Sequence, residues 1–177
     1  MIRVLTDNLL EQVEAYLGNE IRITLSPSAV ALTSDAFAKL PSLVFQGPVL
    51  GDGRMDYEVV SDALPEVDGV RKYGQKRWRV IHTLEYRVRF FHDSLIKSLP
   101  WVERLSWLSG IVVSVSYGAV SCAVEFDNDF DSDTVPNFSD LKHFESEARI
   151  LNVPIRPDAF DEEVFGLLNS QFSLNVS

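Results

Sequence analysis

The stretch Arg77-Trp-Arg-Val-Ile-His-Thr-Leu-Glu-Tyr-Arg-Val-Arg-Phe-Phe91 alternates over its whole length. Its even positions are Trp78, Val80, His82, Leu84, Tyr86, Val88 and Phe90, while the odd ones include Arg77, Arg79, Glu85, Arg87 and Arg89. Side chains on a strand point alternately to opposite faces, so this pattern predicts one strand with an aromatic–aliphatic face inward and an arginine-rich face opposite. At about 3.3 Å per residue it would extend roughly 50 Å, well beyond the usual strand. Such a strand must curve strongly or project from its domain.

Upstream, Leu9, Leu10, Val13, Tyr16 and Leu17 form the apolar stripe of a helix that Thr6 or Asp7 would cap and Gly18 would end. Ile21, Ile23 and Leu25 alternate in a short strand, Ser26-Pro27-Ser28 breaks it, and residues 29–39 read equally as helix or loop. Leu43–Phe45 and Met55–Val60 are strand candidates, with Gly47-Pro48 and Gly51-Asp52-Gly53 read as turns between them. Residues 61–75, with Pro65, Gly69 and Gly74, read as a long loop. Downstream, Asp93 or Ser94 caps a helical segment that Pro100 should split and Gly110 should stop. Ile111–Ser116 and Ala119–Phe126 are two strands if Tyr117-Gly118 turns and one if it does not. Asp127–Asp140 is an acidic segment. Phe144–Ile155 alternates again, with Leu151, Val153 and Ile155 on one face. The order predicts an α+β fold with a mostly antiparallel sheet, one domain over residues 1–157, and a C-terminal docking tail over 158–177 whose Phe160, Val164, Leu167 and Leu168 form an acidic amphipathic turn.

Composition narrows the function. The chain has 177 residues, 46% of them hydrophobic and 24% charged, with a mean hydropathy of +0.02. These are globular values, and the sequence has no apolar run near the length a membrane-spanning helix needs. No secretory signal is expected at Met1–Asp7, and the one cysteine, Cys122, suits a reducing compartment. The net charge of −10 repels nucleic acid and anionic membrane on average. Its layout is uneven. Residues 1–70 hold 4 basic and 11 acidic side chains, residues 71–110 hold 9 and 3, and residues 111–177 hold 3 and 12. Either these charges interleave over an ordinary solvated surface, or a basic face of one copy meets an acidic face of the next.

Chemistry-bearing constellations are few. Asp127-Asn-Asp129-Phe-Asp131-Ser-Asp133 begins like a calcium loop, but counting from Asp127 the sixth position is Ser132 and the twelfth Phe138, where a glycine and a bidentate glutamate belong. The same aspartates could be imagined in a two-metal hydrolase, yet such ligands normally come from separate rigid elements. His82 reads as a hydrogen-bonded core residue, His92 as a cap at a strand–helix junction, and Cys122 as buried and inert. Arg77, Arg79, Arg87 and Arg89 could contact a phosphate backbone, against which stand the acidic flanks. No catalytic motif, metal site or cofactor is expected.

The helix Asp7–Leu17, the short strands within Leu43–Val60, the long strand Arg77–Phe91, the helical segment Asp93–Leu108 and the strands within Ile111–Ile155 together resemble the tail terminator proteins of tailed bacteriophages. The likeness spans roughly residues 1–155 and rests on the order and length of elements. It implies a non-enzymatic virion protein of the tail or neck, present in the host cytoplasm during assembly. Such a protein forms a homo-oligomeric ring, usually a hexamer, that caps the tail tube and joins it to the head connector. The partners it implies are further copies of the chain, the tail tube protein, the head–tail connector protein and, in contractile tails, the sheath protein. Neither a membrane nor a specific nucleic-acid sequence is among them. Another neck or baseplate adaptor, or a small metal-dependent hydrolase, are the alternatives. The self-assembly interface expected from the charge layout is Arg77, Arg79, Arg87 and Arg89 against Asp127, Asp129, Asp131 and Asp133 of the next subunit.

Overall fold

The computed structural model describes residues 1–26, 39–60, 74–134, 142–155 and 163–165. The residues 29–39 read as helix or loop lie outside the described residues except for Lys39, and so does the long loop up to residue 73. The chain divides into two compact units, one of Met1–Asp52 with His82–Val153, the other of Gly53–Ile81 with Pro154–Ser177.

The first unit opens with helix α1 (Ile2–Leu17). Leu5, Leu9, Val13 and Leu17 recur every four residues and are buried; the expected stripe holds at Leu9, Val13 and Leu17, extends to Leu5, and leaves Leu10 and Tyr16 half-buried. Thr6 is not its cap. The helix begins four residues earlier, and the Thr6 hydroxyl donates back to the Ile2 carbonyl at 2.9 Å while lying 2.7 Å from the Tyr86 hydroxyl. A buried hydroxyl needs partners, and here the preceding turn and the sheet supply both.

The sheet of this unit runs β1 (Arg22–Ser26), β2 (Ser42–Leu50), the second half of β4 (Gly74–His92), β8 (Lys142–Ile155), β6 (Val120–Phe126) and β5 (Ser114–Tyr117), with β7 (Asp131–Thr134) also on β8. The β1–β2 ladder is parallel, and β2–β4, β5–β6, β6–β8 and β7–β8 are antiparallel. In the second unit β3 (Arg54–Val60) and β9 (Glu163–Phe165) each pair antiparallel with the first half of β4. The fold is α+β with a mostly antiparallel sheet, as expected. The Val164 region is a short strand instead of an amphipathic turn; its neighbours Phe160, Leu167 and Leu168 lie outside the described residues.

The alternation of β4 holds from Leu84 to Phe90 and ends at Phe91, which is buried on the opposite face. Leu84, Tyr86, Val88 and Phe90 are buried, whereas Glu85 and Arg87 are exposed. Phe45, Tyr86 and Phe126 meet edge to face, with Phe45 6.3 Å from Tyr86 and 6.4 Å from Phe126, and Phe90 lies 6.1 Å from Phe144. Each fully buried side chain of this kind contributes about 1.5–3 kcal/mol relative to exposure. Burial also pushes the Tyr86 phenol above its ordinary pKa, with the Thr6 hydrogen bond pulling the other way.

Four local expectations are corrected. Gly47-Pro48 is not a turn: β2 continues through it with a bulge, since the register shifts between Gln46, opposite Arg87, and Val49, opposite Glu85. Gly47 has φ +136°, and a Cβ there would stand 2.7 Å from the Glu85 carbonyl, so only glycine fits. Pro100 does not split its helix. Helix α2 runs Leu95–Ser106 with Pro100 inside, on its exposed side, where water can solvate the carbonyl that the proline leaves without a donor. Gly110 does not stop the helical segment either; α2 ends at Ser106, with Trp107 as its C-cap, and Gly110 lies inside the next turn, α3 (Leu108–Ile111). Finally, Leu151 does not share a face of β8 with Val153. Phe144, Ala148 and Ile150 are buried, and after Asn152, at φ +56°, the buried position moves to Val153. Asparagine tolerates the left-handed region, and one such residue inverts the parity of everything beyond it.

Gly118-Ala119 turns β5 into β6, settling the two-strand alternative. Ser94 caps α2, its hydroxyl accepting from the Lys97 N–H at 3.5 Å. Arg104 ties α2 to the end of α1: its Nη2 donates to the carbonyls of Tyr16 (3.3 Å) and Leu17 (3.2 Å), and its guanidinium covers the rings of Tyr16 and Trp101. A cation on the last carbonyls of a helix complements their partial negative charge.

Candidate functional site

The odd positions of β4 and β8 build one polar face of the first unit's sheet. Arg87 Nε lies 2.9 Å from one oxygen of Glu145, and Arg89 Nε donates to the other at 3.0 Å. Arg87 is half exposed and Arg89 only 18% exposed, so the inner of the two pairs is the better shielded from solvent. Asp131 stands directly opposite Glu145 in the β7–β8 register, with Ser132 opposite Phe144. Further along β8, Arg149 pairs with Glu147 on its own strand and stands opposite Glu125 on β6.

Glu145 thus stands between two of the expected arginines, Arg87 and Arg89, and one of the expected aspartates, Asp131. Arg87 and Arg89 on β4, Glu145 on β8 and Asp131 on β7 form a row, with Glu145 holding both arginines. Glu145 is the residue the sequence reading misses. Its signal was present, since it shares an alternate-position face with Glu147 and Arg149, but the pairing of β8 beside β4 that brings it to the arginines is not a local feature. The side chains of Arg77, Arg79 and Asp133 lie outside the described part of the structure.

The acidic segment lines an open groove of about 620 Å³ with Asp127, Asp129, Asp131, Glu145 and Glu147. Asp127 accepts the Asp129 N–H at 3.1 Å, and the Ser146 hydroxyl donates to the Asp127 carbonyl at 2.8 Å. The segment is not all loop: Asp131–Thr134 is strand β7, anchored on β8. Among the described residues no group of three or more His, Cys, Asp or Glu side chains is arranged to hold a metal ion.

The remaining candidates have structural partners. His82 Nδ1 lies 3.1 Å from the Gly51 carbonyl. His92 is buried, and its Nδ1 is within reach of both the Ser94 N–H (3.0 Å) and an Asp93 carboxylate oxygen (2.8 Å), next to the start of α2. His143 stacks on Phe91 with ring centroids 4.9 Å apart. Cys122 is buried, and burial pushes its thiol pKa up, which disfavours the reactive thiolate.

A second kind of surface has no counterpart in the charge layout. Helix α2 buries Ser98 and Leu105 inward, yet Ile96 is 81% and Trp107 64% exposed, and Leu95, Leu99, Ile111 and Val113 are also exposed.

No protein-family model and no curated protein matches the chain. Among solved structures, a chain described as "Virion of native gene transfer agent (GTA) particle" is similar at 12% identity with a TM-score of 0.40, covering 85% of this chain and 96% of that one.

Proposed function

We propose that this chain is a non-enzymatic structural protein of a tailed-phage-type virion, of the tail terminator kind: a self-assembling ring that caps the tail tube and presents a surface to the head connector. The observation that carries this reading is the order of elements. An N-terminal helix, short strands, the 19-residue β4, the α2 helix and further strands follow one another in the sequence on which the resemblance rests. The charges of the polar face fit a structural role. Glu145 on β8 is engaged by Arg87 and Arg89 on the neighbouring β4, an arrangement that ties the two strands together.

The partners that follow are further copies of the chain, the tail tube protein, the head–tail connector protein and, if the tail contracts, the sheath protein. The test is a capping assay. Purified chain is added to the tube protein of the same particle while it polymerises, and tube lengths and ends are counted by electron microscopy. The reading expects shorter tubes with the chain at one end. Unchanged lengths, with no chain on either end, would overturn it.

A further inference from the structure

We propose that the outward side of α2 and α3 is the face on which a second copy of this chain packs, an inference that rests on the self-assembly reading above. Ile96 and Leu99 on α2 and Trp107 at its C-cap fall on one side of the helix, because spacings of three and eleven residues return to nearly the same side. Ile111 and Val113 continue it toward β5. All five are exposed, from 50% at Ile111 to 81% at Ile96. Buried Ser98 and Leu105 lie on the other side of α2, and Arg104 fastens that side to the carbonyls ending α1. The helix thus turns Leu105 toward its own core and Ile96 and Leu99 away from it. A helix of that kind has a second partner. Single exposed apolar residues are ordinary; five along one continuous stretch of 18 residues are not.

Charge identifies the occupant. Two copies of a chain carrying −10 repel over most of their surfaces. From Leu105 to Val124 the sequence contains no Asp, Glu, Lys, Arg or His. That stretch forms the end of α2, all of α3 and β5, and most of β6. Here like-charged copies can approach without bringing carboxylates together. A basic partner protein would instead be drawn to the acidic groove, where Asp127, Asp129 and Asp131 are exposed. Intersubunit salt bridges through Arg87 and Arg89 are the weaker candidate for cohesion, because Glu145 of the same chain already engages both.

The experiment is sedimentation velocity over a concentration series on the full chain, on Ile96→Glu/Leu99→Glu, and on Trp107→Glu, at about 0.1 M and about 1 M salt. Circular dichroism and melting temperature are recorded alongside. The inference expects the wild type to associate equally or more strongly at high salt. It expects both variants to associate at least about tenfold more weakly with unchanged melting temperature, as loss of central apolar anchors does. Variants that associate like the wild type would overturn the inference and leave the self-assembly reading standing. Variants with a lowered melting temperature at concentrations where all are monomers would also overturn it, since the stripe would then be covered by its own chain. A wild type that stays monomeric throughout would overturn the self-assembly reading itself.

Discussion

Replacing Gly47 by alanine tests the bulge that sets the register between β2 and β4. The new methyl would sit 2.7 Å from the Glu85 carbonyl and 3.3 Å from the Val49 nitrogen, both backbone atoms that cannot rotate away. The residue would also have to hold φ +136°, which costs an L-amino acid about 1–3 kcal/mol. Moving the Glu85 carbonyl disturbs at least one ladder hydrogen bond, for a further 0.5–1.5 kcal/mol or so. The total is roughly 2–4 kcal/mol, a large share of the ~5–15 kcal/mol by which a domain is usually stable. With a urea slope of about 1–3 kcal/mol/M, the midpoint should fall by roughly 1–2 M with the slope unchanged. Gly110→Ala is the control. It lies in α3 with nothing within 4 Å of the added Cβ, so alanine should be neutral or stabilise by up to about 1 kcal/mol. Equilibrium urea unfolding followed by tryptophan fluorescence reads both. Equal midpoints for the two variants, or a Gly47→Ala protein as stable as wild type, would refute the bulge geometry.

Leu84→Ala should cost about 2–5 kcal/mol, because Leu84 is fully buried, whereas Arg87→Ala should cost no more than about 1 kcal/mol for a half-exposed ion pair; the reverse order in denaturation would mean the strand's faces are exchanged. Tyr86 has a raised folded-state pKa, so the folded form keeps its proton at a pH where the unfolded form loses it. Stability from this group is present in full below the unfolded value near 10 and declines as pH rises beyond it, by at most about 1.4 kcal/mol per pH unit; the decline should be smaller in Tyr86→Phe, and identical alkaline profiles would contradict the burial. Millimolar calcium should leave the melting temperature unchanged. A rise of several degrees that Asp129→Asn abolishes would make the Asp127–Asp133 segment a cation site.

What was legible in the sequence was whatever one strand or one helix decides alone. β4 could be read because a half-buried strand writes its two faces into successive residues. The stripe of α1 was legible at a spacing of four for the same reason. What was not legible depends on a second element or on backbone conformation. Thr6 looks like a cap until Tyr86 supplies a buried partner. Gly47-Pro48 looks like a turn because the same residues serve a bulge, and only the facing Glu85 carbonyl distinguishes the two. Asn152 inverts the faces of β8 with one left-handed residue inside an otherwise regular pattern. Arg87 and Arg89, two of the four arginines read onto one face of the strand, lie on a polar face, but Glu145, 56 residues beyond Arg89, reaches the pair only through strand order.

Self-assembly is the central claim, and the most direct measurement of it is the mass of the purified chain at micromolar concentration by native mass spectrometry, with negative-stain images of the same sample. The account predicts a discrete multiple of the 19.9 kDa chain and closed rings with a central hole. A single species at the monomer mass, with no rings at any concentration, would contradict it.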